Sequence, residues 1–196
     1  HIICSTACMA GELSSNSLNL VEARKKGLDG AEYKQNIIDF LKFLKSLFND
    51  DLYIEIAPNA TSSDQNEVNV MNVSIAKSMD IPVIFATDAH YLKKNDRLVH
   101  KAFLLSRPSE GDREVDAFYQ ATYIMSFDEV VEQLAPCEFQ IEEIEEWASN
   151  TQKILDKIQI YDLHKKQSVV RPDVKIKDFL PGNLPVDKYP VLNRLI

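Results

Sequence analysis

The sequence predicts an α/β protein built on a parallel sheet, and three observations carry that prediction. Three short segments, 2–6, 52–57 and 81–87, are apolar and rich in β-branched residues. The stretches between them include runs with helical periodicity, and polar turns punctuate the boundaries. Strand and helix therefore alternate over the first ninety residues, which favours βαβ units with helices packed outside a parallel sheet. About three such units are visible, and a parallel sheet needs both faces covered. The units are accordingly expected to close a larger structure whose remainder lies upstream, an expectation that the missing initiator Met also favours.

Each element has a local reason. Segment 2–6 is a buried strand running into the turn Cys8-Met9-Ala10-Gly11-Glu12, and Ser14-Ser15-Asn16-Ser17 reads as further turn chemistry. Between Ala31 and Phe48 the apolar residues Ile37, Leu41, Leu44 and Phe48 recur at spacings of 4, 3 and 4, the mark of an amphipathic helix that Asn49-Asp50-Asp51 ends. Leu-Tyr-Ile-Glu-Ile-Ala, 52–57, is the second strand, closed by Pro58-Asn59. Val68, Met71, Ile75 and Met79 mark the next helix, and Pro82 sits at the mouth of the third strand, where no ladder donor is needed. A short helix is predicted from Arg97 to Leu105, a charged loop from Arg107 to Asp116 and an extended segment from Phe118 to Met125. Ser126-Phe127-Asp128-Glu129 has capping-box spacing and announces a helix to Leu134. A longer helix begins near Glu138, with Ile141, Ile144, Ala148, Thr151, Leu155 and Ile158 as its apolar stripe. Its early glutamates and late Lys153 and Lys157 suit the helix dipole.

Three divisions follow: 1–135 as the α/β part, 136–161 as a long closing helix, and 162–196 as an extended, Pro-rich connector. From Leu163 onward there are four prolines, and seven Lys or Arg stand against three Asp.

Composition narrows the function. The 196 residues carry 30 acidic and 22 basic side chains, a net charge of −8, so the surface offers no general nucleic-acid footprint. No run of ~18 apolar residues exists to cross a membrane and no signal peptide opens the chain, which predicts a cytoplasmic protein. Three cysteines form a sparse, odd set, read as reduced thiols. There is no Gly-rich phosphate loop, nucleophile elbow or Cys-x-x-Cys pair.

One constellation carries chemistry. Asp88 and His90 directly follow the third strand, and on extended chain two residues apart they project to the same side. In parallel α/β folds the carboxyl ends of the strands are where ligands and metals bind. Cys8 follows the first strand at the corresponding end. A carboxylate, an imidazole and a thiolate together can hold Zn²⁺ or a similar ion. Taken singly, Asp-x-His is a frequent chance pattern, and a cysteine such as Cys8 is more often a small buried hydrophobe. That bland reading is kept for Cys4 and Cys137, and His1, His100 and His164 are read as structural or surface residues. Glu55, mid-strand between Ile54 and Ile56, needs a partner and is a candidate for support behind the ligands.

Ser5-Thr6-Ala7-Cys8-Met9-Ala10-Gly11-Glu12, Tyr53-Ile54-Glu55-Ile56, and Ile81-Pro82-Val83 leading to Ala86-Thr87-Asp88-Ala89-His90-Tyr91-Leu92 together resemble the later half of the polymerase and histidinol phosphatase (PHP) domain. The resemblance is to the version in the alpha subunit of bacterial DNA polymerase III. It runs on through His100 to Leu105, Phe118-Tyr119, Ser126-x-x-Glu129 and Ser149-Asn150-Thr151, covering roughly residues 1 to 160. It implies part of a distorted seven-stranded β/α barrel whose mouth binds up to three divalent ions (Zn, Mn or Mg), with Cys8, Asp88 and His90 as metal ligands. The family's other ligands have no counterpart, and Ala7 stands where Gly is usual. It further implies membership of a replicative DNA polymerase, a nucleotidyltransferase, with DNA, replisome subunits and the rest of the polymerase chain as partners. A metal-dependent phosphoesterase or 3′–5′ exonuclease role would belong to the full protein, with no catalytic residue in this fragment alone. The resemblance equally permits a free-standing phosphoesterase like histidinol phosphatase, or an inactive structural metal-binding module.

Overall fold

The computed structural model describes residues 2–106 and 119–159. The chain divides into two units, His1–Ile158 and Gln159–Ile196, and every element below belongs to the first. The expected loop 107–116 and connector 162–196 lie outside the described residues, as do His1 and His164.

Three strands, β1 (Cys4–Ser5), β2 (Leu52–Ile56) and β3 (Val83–Phe85), form an open parallel sheet in chain order. Cys4 pairs with Leu52 and Ser5 with Tyr53, and Ile54, Glu55 and Ile56 pair with Val83, Ile84 and Phe85. The described residues make an α/β fold of six helices on this sheet, with no closed barrel among them. Leu52, Ile54 and Ile56 are buried to 1% exposure or less and anchor the core, which also takes in Leu13, Leu20, Ile37, Leu41, Val73 and Val83.

Two helices cross from β1 to β2. The first, α1 (Glu12–Lys25), overturns the turn reading of Ser14 to Ser17. Its inner face is polar as well as apolar: the Ser17 hydroxyl donates to Asn72 Oδ1 (2.7 Å) and Asn72 Nδ2 donates to Ser14 Oγ (3.3 Å), all three buried. Because these groups satisfy one another across the helix pair, they can be buried where an apolar stripe would be expected. The second, α2 (Ala31–Phe48), has the predicted bounds, with Ile37 and Leu41 innermost. Gly11 caps the start of α1 where any Cβ would lie 2.8 Å from the Thr6 carbonyl and 3.0 Å from that of Cys8. Its N–H donates to the Cys8 carbonyl (2.8 Å), which folds the Cys8 turn back onto the helix.

From β2, Ser62 caps α3 (Ser63–Met79) by accepting the Gln65 N–H. Val68 is buried as predicted, but the rest of the inner face is Asn69, Asn72, Val73 and Ala76, which turns Met71, Ile75 and Met79 half outward. After β3 come α4 (Arg97–Leu105), with the predicted bounds, and a 3-10 turn at Tyr119–Ala121 where an extended segment is expected. Only beyond that turn is the chain extended, with Tyr123 bridging Tyr91. The capping box forms as read: the Ser126 N–H donates to Glu129 Oε2 (2.8 Å) ahead of α5 (Phe127–Leu134). Cys137 is buried in the following 3-10 turn, its thiol pushed up to about 11 by burial.

The last helix, α6 (Ile141–Lys157), starts three residues later than predicted because Glu138 is left-handed (φ 56°) and Gln140 forms the cap with Glu143. Its buried face is Ile144, Trp147 and Asn150, while Ile141, Leu155 and Ile158 are exposed, so the stripe is rotated from the expected one. The reason is the sheet edge. Asn150 Nδ2 donates to the Val83 carbonyl (2.9 Å), which turns inward a polar residue that the expected stripe did not include.

Candidate metal centre

The site lies at the carboxyl ends of the three strands. β1 passes into Thr6, whose N–H donates to the Tyr53 carbonyl (3.2 Å) and whose hydroxyl oxygen accepts the Glu55 N–H (3.1 Å). The chain then turns at Ala7, in the left-handed region at φ 60°, and presents the half-buried Cys8. An L side chain adopts that φ at a cost, and glycine would adopt it freely.

Past β2, the peptide of Ala57 is held by α3. Asn69 Oδ1 accepts the Ala57 N–H (3.2 Å) and Nδ2 donates to the Ala57 carbonyl (2.7 Å), while Gln65 Nε2 donates to the same Oδ1 (2.9 Å). Asn69 thereby stands in for a neighbouring strand beyond the end of the ladder. Within β2, Glu55 accepts the Ser5 hydroxyl on Oε2 (2.7 Å), which is the partner its mid-strand position requires.

Past β3, the chain is not extended as expected: Asp88 is left-handed (φ 45°). This turn nonetheless brings the pair together, with His90 Nδ1 3.9 Å from Asp88 Oδ1 and 2.6 Å from the Asp88 carbonyl. A carbonyl only accepts, so Nδ1 donates this bond, and in the neutral tautomer that makes it Nε2 is the nitrogen with the lone pair. The segment beyond α4 holds this turn. The His90 N–H donates to the Thr122 carbonyl (2.8 Å), and the Tyr91 hydroxyl donates to the carbonyls of Tyr119 (2.6 Å) and Gln120 (3.0 Å). The His90 ring packs edge-on against Tyr119 and beside His100.

Cys8, Glu55 and Asp88 line one small cavity of about 20 Å³, together with Gln65 and Thr122. That is room for one water or one ion, not for an organic substrate. His90 does not line it but stands beside Asp88, both side chains partly exposed. Among the described residues no three His, Cys, Asp or Glu side chains converge on one point tightly enough to hold an ion. The donor types, a thiol, two carboxylates and an imidazole, are those that suit a borderline divalent ion. The Nδ1 bond to a carbonyl is also the support that metal-bound histidines ordinarily have. Asn69 and Thr122 escape a sequence reading because they act through backbone groups far along the chain, and Gln65 because it acts only through Asn69; the one signal is the Asn69 and Asn72 pair interrupting the apolar pattern of α3.

No helix among the described residues is long and apolar enough to cross a membrane. No protein-family model matches the chain. Along its whole length it is 32% identical, over 203 aligned residues, to the probable DNA polymerase YorL of Bacillus subtilis strain 168. The same figures describe the DNA-directed DNA polymerase of Bacillus phage SPbeta. A third relative, the DNA polymerase III subunit alpha of Campylobacter jejuni, is 27% identical over 170 residues, covering 81% of this chain and 13% of the relative. The chain spans about 15% of the length of the first two.

Proposed function

From its homology to a segment of bacterial and phage DNA polymerases, we propose that this chain is the later part of a PHP domain within such a polymerase, and that Cys8, Asp88 and His90 contribute to its divalent metal site. The observation that carries this reading is the shared cavity: two of the three proposed ligands, from β1 and β3, meet there at the carboxyl ends of a parallel sheet. In the complete protein the remaining ligands and barrel strands come from the rest of the polymerase, which acts on DNA with its replisome partners in the cytoplasm.

The roles divide by position. Cys8 and Asp88 supply thiolate and carboxylate at the cavity, and His90 supplies Nε2 beside it with Nδ1–H anchored on the Asp88 carbonyl. Glu55, tied to Ser5, flanks the same cavity and is the candidate to orient what binds there. A bound divalent ion would supply Lewis-acid activation of water and neutralise charge at a phosphoester. Hydrolysis of single-stranded DNA by a 3′–5′ exonuclease is the activity this chemistry suits in the whole protein. An inactive site that serves structure is the second reading, favoured by the incomplete shell.

The test is cobalt titration of the 196-residue chain, followed by thiolate-to-metal absorption. A band that Cys8→Ser abolishes, with affinity about 10- to 100-fold weaker in Asp88→Asn and His90→Ala, is expected. Cobalt bound without a thiolate band, or unaffected by Asp88→Asn, would refute the assignment. The chain alone is expected to show no chelator-sensitive nuclease activity, because two-ion hydrolysis needs ions ~3.5–4 Å apart with ligands on both.

A further inference from the structure

The helical side of the molecule carries a second feature, unrelated to the strand ends. Helix α1 packs against both α2 and α3, but α2 and α3 do not pack closely on each other. The gap between them is a groove of about 550 Å³ with Leu20 and Ile37 at its floor and Met71, Ile75 and Met79 along one wall. These three are the residues that α3 turns outward because Asn69 and Asn72 occupy its inner face. One end is closed by Lys45, whose Nζ donates to the carbonyls of Met79 (2.8 Å) and Asp80 (3.0 Å). Beyond Met71 and Ser74 the groove continues into a second depression of about 420 Å³, past the exposed Val70 to Pro136. Along α3 from Asn66 to Met79 the two together run about 20 Å.

The charge of the lining opposes that of the molecule. In a chain with 30 acidic and 22 basic side chains, the main groove is bordered by Arg24, Lys34 and Lys42 and by no carboxylate. The one acid of the second depression, Glu67, is already paired with Lys25 at 2.6 Å. An apolar floor with adaptable methionines, a cationic border and a length of three to four helical turns fit one kind of occupant.

We propose that the groove between α2 and α3 docks an amphipathic helix of a partner protein, apolar on one face and acidic on its flanks. The apolar face would seat on Ile37, Met71, Ile75 and Met79, and its carboxylates would meet Arg24, Lys34 and Lys42. The chain's own residues from Leu163 onward have the wrong sign, seven Lys or Arg against three Asp.

The four methionines make the test internal. With the methionine methyls of the full chain labelled with ¹³C, Met71 and Met79 report the groove, while Met9 and Met125 lie outside its lining. The probe is a synthetic peptide of about four turns with Leu on one face and Glu on both flanks. Saturable shifts at Met71 and Met79 but not at Met9 and Met125 are expected. Affinity should fall about tenfold or more for a Lys-flanked peptide and for Lys34→Glu with Lys42→Glu, and stay within about twofold for Lys93→Glu with Lys94→Glu, exposed and outside the lining. The peptide comparison on the unaltered chain decides even if a variant folds poorly. The proposal is overturned if neither methyl shifts, or if the Lys peptide binds equally. It is equally overturned if the methyls shift with protein concentration alone, which marks a second copy, or if monomeric dodecanoate shifts them as strongly, which marks a small-amphiphile site.

Discussion

Replacing Asn69 removes the clamp that holds the end of β2, and its cost can be worked from the contacts. The side chain is fully buried and makes three hydrogen bonds, two to the peptide of Ala57 and one to Gln65. In Asn69→Ala the Ala57 N–H, the Ala57 carbonyl and the Gln65 amide each lose a partner, at about 1–3 kcal/mol for a fully buried group. Ala57 is only half-buried and the adjoining cavity is polar, so water re-pairs part of the loss and the low end applies. About 3 kcal/mol is expected, a fall in Tm of roughly 6–12 °C for a unit of this size. Urea unfolding measures it, and a cost below about 0.5 kcal/mol would refute the claim that Asn69 acts as a substitute strand.

Asn69→Asp separates the clamp from mere packing. The carboxylate still accepts the Ala57 N–H but faces the Ala57 carbonyl without a proton, in a fully buried position. Burial and that carbonyl raise the carboxyl's folded pKa above its unfolded value. The folded state then holds more protons than the unfolded state between the two values, so stability is greatest below the unfolded pKa and falls as pH rises through the folded one. The deficit relative to the parent should therefore grow from about pH 4 toward about pH 7. A deficit independent of pH would show that the introduced carboxylate reaches water and that the site is not closed as described.

Two further outcomes are expected. Ala7→Gly should raise stability by about 0.5–1 kcal/mol in the same assay, since relief of a left-handed L residue outweighs the added freedom of the unfolded chain. The Lys77 ammonium, through its hydrogen bond, holds the Glu143 carboxyl below its usual range, so the stability it contributes is present above the ordinary Glu value and lost as pH falls through the lowered one. Glu143→Gln should then unfold less steeply with acid below about pH 4.5 than the parent, and an unchanged acid limb would count against that pair.

What the sequence made legible was whatever rests on apolar periodicity or local caps. Helix α2, helix α4 and the Ser126 box follow from patterns read within one segment, and the parallel sheet from the alternation of strands and helices, while the order of its strands comes only from the structure. Helix α1 was not legible, because Ser14 and Ser17 become core residues only when Asn72, more than fifty residues away, supplies their partners. The stripe of α6 failed for a like reason: Asn150 is buried because the edge of β3 needs a donor at Val83. The site divides in the same way. Cys8, Asp88 and His90 announce themselves as reactive side chains just after strands, whereas Asn69 and Thr122 act through backbone groups that no spacing rule connects to them and Gln65 acts through Asn69.

The backbone itself separates site from scaffold. Among the described residues, five other than glycine have left-handed φ: Ala7, Asn49, Asp80, Asp88 and Glu138. Asn49 and Asp80 end α2 and α3, and Glu138 ends the 3-10 turn before α6, where such a conformation stops a helix. Ala7 and Asp88 end no helix. One immediately precedes Cys8 and the other is itself a proposed ligand, and the two stand at the carboxyl ends of β1 and β3 on either side of β2. Strain of about 1–2 kcal/mol at each is held in place by the surrounding bonds: Thr6 to Tyr53 and Glu55 on one side, His90 and Tyr91 to Thr122 on the other. Removing that strain at Ala7 should therefore leave the fold more stable and the Cys8 thiolate band unchanged, because glycine adopts the same φ without a Cβ and the bonds of Thr6 and Gly11 still hold the turn. Cobalt affinity that falls about tenfold or more in Ala7→Gly would mean that the restricted backbone of Ala7, not the bonds of Thr6 and Gly11, sets the direction of Cys8.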